Sequence, residues 1–113
     1  MVVKLNPRFY ISVGDTETVS INYTDHLDGD ELLTGTPTVA EVTTSDLTLQ
    51  NKIVNTEEYT EARTGNTVEA GKAVQFSVSG GTVSNSPYTI RITVTTDATP
   101  SRTFVRDIDL RFT

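Results

Sequence analysis

The chain of 113 residues contains no cysteine and no tryptophan, and one histidine. Without cysteine there is neither a disulfide framework nor a thiolate metal site, which fits folding in a reducing compartment. The lone histidine, His26, is the single imidazole on offer for acid–base or nucleophilic work, and it stands in an acidic turn rather than beside a candidate nucleophile. No apolar run approaches the roughly 18 residues that would cross a bilayer. The opening MVVKLNPRFYISVGD lacks the apolar core of a signal peptide, so no leader and no membrane partner are expected. Basic residues are few, nine against fifteen acids, and form no stripe, so nucleic acid is not an expected partner.

What is present favours strands. Threonine is abundant and valine and isoleucine are frequent. Branching at Cβ suits these residues to a pleated surface and gives little to a helix. The length corresponds to one domain, able to bury roughly two thirds of its unfolded surface without metal or disulfide support. The net charge of −6 is uneven: positions 15–69 hold twelve acids and two bases, whereas 70–113 hold three acids and five bases. A solvated acidic surface accounts for this, as does complementarity with a neighbouring copy or a basic partner.

Alternation locates the strands. Phe9, Ile11 and Val13 share a face, as do Val19, Ile21 and Tyr23; short strands are expected at 39–42 and 47–54. Three clearer sets follow: Val74, Phe76 and Val78; Tyr88, Ile90, Ile92 and Val94; and Phe104, Ile108, Leu110 and Phe112. Two segments have no period. Residues 25–38 read as a crossing with one short helical turn, anchored by Leu27, Leu32 and Leu33. Residues 55–72 read mainly as a long mobile excursion, with a helical turn near Thr56–Glu61 and a brief strand at Thr67–Glu69. The expectation is one all-β domain over 1–113, an immunoglobulin-like β-sandwich of about seven or eight strands, with a small closed barrel as the competitor. Tyr88, just after a proline at the start of the penultimate strand, is expected to bond upstream backbone through its hydroxyl.

Sites for chemistry are sparse. The acids Asp25, Asp28, Asp30 and Glu31 in DHLDGDE are the best calcium candidates, but their spacing is not that of an EF-hand, and the favoured expectation is an acidic turn with no metal. Ser79-Gly80-Gly81 lacks the lysine of a phosphate cradle and reads as a turn. By alternation only Tyr10 and Tyr59 remain as exposed rings for a carbohydrate platform, which makes a sugar- or cell-surface-binding module the runner-up function. No catalytic residue and no cofactor are expected. The irregular segments, where binding groups tend to be displayed, offer Asp28, Asp30, Glu31, Glu57, Glu58 and Glu61 as partner contacts.

The carboxy-terminal pattern is specific enough to suggest a family. Phe76-Ser77-Val78-Ser79-Gly80-Gly81, a short loop, Tyr88 opening the next strand, Thr95-Thr96, a turn with Arg102, and the closing strand Ile108 to Phe112 resemble the phage fibre–tail adaptor proteins, short virion proteins of tailed phages. Val19 to Tyr23 followed by Asp25-His26-Leu27-Asp28-Gly29-Asp30 is similar to that family's first core strand and acidic turn. The chain departs from the pattern at His26 and at Phe76-Ser77-Val78, where the family often carries tryptophan, and in its longer 55–72 segment. The resemblance implies a virion structural protein, a head–tail or fibre–tail adaptor in a symmetric ring, contacting copies of itself and neighbouring neck, tail or fibre proteins. In that role Tyr88, Gly80 and Gly81 shape the fold and do no chemistry.

Overall fold

The computed structural model describes residues 8–62 and 64–113, leaving 1–7 and Arg63 outside. Seven strands form two sheets: β1 (Arg8–Ile11), β2 (Glu17–Asn22), β3 (Leu33–Glu41), β4 (Thr48–Val54), β7 (Ala73–Ser79), β8 (Tyr88–Thr96) and β9 (Thr103–Phe112). Two more, β5 (Tyr59–Thr60) and β6 (Thr67–Val68), make a separate ribbon. One sheet runs β1-β9-β8-β3 and the other β2-β7-β4, antiparallel throughout except that β1 lies parallel to β9. The chain is therefore all-β, a two-layer sandwich, and among the described residues its one helical piece is a 3-10 turn at Thr24–His26.

The alternation read from the sequence is what fills the space between the layers. Tyr88, Ile90, Ile92 and Val94 of β8 and Ile108, Leu110 and Phe112 of β9 face Val19 of β2 and Val74, Phe76 and Val78 of β7 in one buried cluster. Each such side chain removed from water contributes about 1.5–3 kcal/mol. The outward residues of the same strands are polar apart from Val105, because successive side chains point to opposite faces and these meet solvent.

Three features differ from the sequence expectation. Strand β3 begins at Leu33, inside the segment 25–38 that lacked a period, and Val13 lies beyond β1, 51% exposed. The β3 alternation is broken where its register with β8 shifts between Thr34 and Thr38. Gly35 takes φ +75 there and Pro37 has no N–H to give, which an edge strand tolerates. The third difference is the 55–72 segment. No helical turn forms at Thr56–Glu61; instead Tyr59 pairs with Val68 and Thr60 with Thr67, and Val68 is fully buried.

The loop from β7 to β8 is closed by tyrosine and glycine. The buried Tyr88 hydroxyl accepts from the Thr82 N–H (3.0 Å) and donates to the Asp46 carboxylate (3.1 Å), while its ring meets Phe112 edge-on at 5.6 Å. Gly80 has φ +88, and a methyl there would approach the Asp46 carbonyl oxygen at 3.1 Å. A methyl on Gly81 would fall within the Phe112 ring. Ser86 completes the corner, accepting from the Phe112 N–H (2.9 Å) and donating to the Thr82 carbonyl (2.8 Å). Tyr88→Phe keeps the ring, leaves the Thr82 N–H without its acceptor and removes one of the two donors to the Asp46 carboxylate. It is expected to lower unfolding free energy by about 1–2 kcal/mol in urea titration.

Candidate functional site

The acidic turn between β2 and β3 is organised by an arginine from the other end of the chain. Its 3-10 turn starts after Tyr23, and the side-chain oxygen of Asn22 accepts from the Thr24 N–H and hydroxyl at 2.9 and 2.6 Å. Glu31 then folds inward, 8% exposed, and accepts the Asp28 N–H at 3.0 Å. Arg102, on the β8–β9 turn, meets both Glu31 carboxylate oxygens, through Nη2 to Oε1 and through Nε to Oε2 (3.1 Å). The same Nη2 donates to the His26 carbonyl (2.8 Å) and lies 3.7 Å from Asp28. The guanidinium thus engages two of the four carboxylates that spacing had offered to calcium, Glu31 and Asp28. Among the described residues no cluster of three or more acids and histidines is arranged to hold a metal ion.

The Arg102 guanidinium bonded to Glu31 draws that carboxyl down to about 2, helped by the backbone N–H of Asp28 and opposed by burial. Two rings flank the pair. Phe104 lies under both Arg102 and Arg106, 5.2 and 5.7 Å from its centroid, and stacks on Tyr23 at 5.8 Å. The His26 ring is 6.2 Å from Phe104. Burial pushes the Tyr23 phenol up to about 12, and its hydroxyl has no hydrogen-bond partner.

The second irregular segment hangs from Asn55, which sequence reading passed over. Its side-chain NH2 donates to the carbonyls of Glu57 and Glu69, both at 3.0 Å. Its side-chain oxygen accepts from the N–H groups of Lys72 (3.1 Å) and Ala73 (2.9 Å). Both amide donors and both acceptor sites are thereby used, at 2% exposure. The main chain adds Asn55 N–H to the Ala73 carbonyl and Gly71 N–H to the Asn55 carbonyl. One amide therefore ties both ends of the excursion to the start of β7.

The proposed contact residues separate into engaged and displayed groups. Glu31 is buried in the Arg102 pair, and Glu61 accepts from Asn22 (3.2 Å) and Thr64 (3.3 Å). Asp28, Asp30, Glu57 and Glu58 are exposed. Among the described residues no hydrogen bond or ion pair joins the 28–31 acids to those at 57–61, so they form no single site. The two candidate sugar-binding rings are also apart. Tyr10 stands 63% exposed on the outer face of the four-stranded sheet, whereas Tyr59 is half-buried with Phe9, Ser20, Thr60, Glu61 and Ala62 around an open cleft of about 210 Å³. Burial raises the Tyr59 phenol, with Glu61 adding to the effect and a bond to Ser20 opposing it.

Other carboxylates hold loops. Glu41 accepts from the Thr44 hydroxyl (2.5 Å) and the N–H groups of Asp46 (3.0 Å) and Leu47 (2.7 Å). Asp97 accepts the Leu32 N–H through its side chain at 2.9 Å and returns its own N–H to the Leu32 carbonyl. What this arrangement does chemically is accept hydrogen bonds from its own backbone. No helix among the described residues is long and apolar enough to cross a membrane. Comparison with protein-family models, with curated proteins and with solved structures finds no match.

Two outcomes are expected. Glu31 has a folded pKa below its ordinary 4.5, so its contribution is present above pH 4.5 and is lost as pH falls toward about 2. Thermal melts should show the wild type losing stability across that window. Glu31→Gln should be less stable at pH 7 and flatter across the same window. Asn55→Ala unties two carbonyls and two N–H groups at once and should cost about 2–4 kcal/mol in urea titration.

Proposed function

We propose that this chain is a non-enzymatic structural protein of a tailed-phage virion, an adaptor acting as one copy in a symmetric ring. The observation that carries the reading is the corner built by Ser79, Gly80, Gly81 and Tyr88. The residues on which the family resemblance rests are the ones that close this sandwich, through the Thr82 N–H, Asp46 and the Phe112 ring. The strand order supports an immunoglobulin-like sandwich: β2 beside β7, β3 beside β8, β8 beside β9, and β1 parallel to β9. A geometric role is further supported by the fate of the polar groups. Glu31, Glu41, Asp46, Asp97 and Tyr88 are engaged with the chain's own backbone and side chains. The site of action is then the assembled particle, and the partners are neighbouring copies and neck, tail or fibre proteins.

The sugar-binding reading retains one supporting feature, the cleft between Phe9 and Tyr59, an aromatic wall with a carboxylate and hydroxyls at its rim. Titration with monosaccharides, followed through Tyr59 resonances, examines it directly.

The adaptor reading is tested by deleting the gene from the phage that encodes it and examining particles by electron microscopy. Filled heads separated from tails, or tails lacking fibres, are the expected products. Complete infectious particles would overturn it.

A further inference from the structure

The outer face of the four-stranded sheet differs in charge and polarity from the rest of the surface. Inter-strand register places its residues in rows: Thr34, Thr95 and Thr103; Thr38, Thr93 and Val105; Ala40, Arg91 and Asp107; and Thr89, Asp109 and Arg8, with Tyr10 beside Arg111 at the end. Tyr10, Val42 and Val105 are exposed large apolar side chains at this face, at 63%, 39% and 52%. The face holds three arginines and two aspartates, so it carries +1 in a chain of net charge −6. The remaining surface holds the excess negative charge, most of it on the loops, and that charge opposes approach of a second copy through those ends. The outer face of the three-stranded sheet exposes Ile53 at 43%, but its polar groups bond one another, Gln75 to Ser20 at 3.1 Å and Asn51 to Ser77 at 3.3 Å, and among the described residues no ion pair joins its strands.

Arg91 and Asp107 sit directly opposite each other on β8 and β9, joined by two bonds of 2.9 and 3.1 Å. The pairing with Arg91 holds the Asp107 carboxyl below its ordinary range. Now place a two-fold axis parallel to the strands, midway between β8 and β9. Each position on β8 then lies over its register mate on β9 of the other copy. Arg91 faces the partner's Asp107, Thr93 the partner's Val105, and Thr95 the partner's Thr103, with every contact occurring twice. The in-plane ion pair becomes a reciprocal set of four alternating charges, and the threonine–valine rows pack beside it.

We propose that this face is the contact surface for a second copy of the chain, in an isologous dimer centred on Arg91 and Asp107. Four strands about 4.8 Å apart, of four, ten, nine and nine residues, give a face of roughly 500 Å². A dimer would bury about 1,000 Å² in total, at the threshold of specific contacts, so the pairing is reversible and concentration-dependent. An isologous contact closes on itself and builds no ring. The inference therefore stands independently of the adaptor reading and does not share its outcome.

Sedimentation velocity over a concentration series tests it. The wild type is expected to show a monomer–dimer equilibrium. Arg91→Asp and Asp107→Arg place like charges against each other and should each weaken dimerisation roughly tenfold or more. An equimolar mixture of the two variants should recover a heterodimer, and the double variant should dimerise like the wild type. Thr93→Arg leaves the ion pair intact and should also give monomers, and a thermal melt confirms that each variant is folded. A wild type that stays monomeric at every concentration overturns the proposal, as does a dimer indifferent to Arg91→Asp, Asp107→Arg and Thr93→Arg.

Discussion

Every passage of the chain from one sheet to the other leaves backbone N–H and C=O groups without a strand partner, and burying them unpaired is costly. That constraint organises this protein. The crossing after β3 is satisfied by the Glu41 carboxylate, which accepts two main-chain N–H groups. The excursion after β4 is satisfied by Asn55, and the loop before β8 by the Tyr88 hydroxyl. The turn after β2 is satisfied by Glu31 with Arg102 above it, and Asp97 locks the same turn to the end of β8. This domain, which has no cysteine, has its loops fixed by polar side chains that reach back to the backbone. Acids suit this work because a carboxylate accepts several donors at once.

This division of labour explains where the charge lies. Most acids sit on the loops that cap the sandwich, some tying the chain and others left in solvent, whereas the strands carry Glu17 and Glu41 at their ends and Asp107 and Asp109 within β9. Asp28, Asp30, Glu57 and Glu58 keep their exposure. The same acids that looked like binding groups on spacing alone divide into fasteners and a solvated negative rim. The rim favours solubility and makes loop-to-loop association between copies unfavourable.

Sheet-forming residues were legible in the sequence because alternation is a local property. The sets led by Val74, Tyr88 and Phe104 fall where the strands are, and Tyr88 makes the upstream bond its position suggested. Strand β3 was partly hidden because Gly35 and Pro37 interrupt its pattern at a bulge. The ribbon was hidden because two-residue strands carry too few positions to show a period. Arg102 and Asn55 were hidden for a different reason. Arg102 reaches Glu31 across 71 positions, and Asn55 reaches Ala73 across 18, so each acts through a contact that exists only once distant strands have come together. Neither residue type is unusual at its position; the information is in the fold.

The edges of the two sheets are largely closed to strand addition. An open edge would pair with another chain through its free N–H and C=O groups. Here β3 bends at its bulge, with a proline that has no donor to offer. On the other sheet β4 is interrupted between Gln50 and Ile53, where Asn51 takes φ +56 and Lys52 supplies a charge. Strand β2 has the ribbon beside it, with Glu61 bonded to Asn22 and Tyr59 set against Ser20. Extension of the sheets into a neighbour is thus obstructed at three of their four edges. Lateral growth by strand addition would propagate without limit, whereas packing of a bounded, charge-balanced face stops at a defined number of copies. A chain that is strand-rich, acidic at its rim and neutral on its faces can associate in the second way while resisting the first.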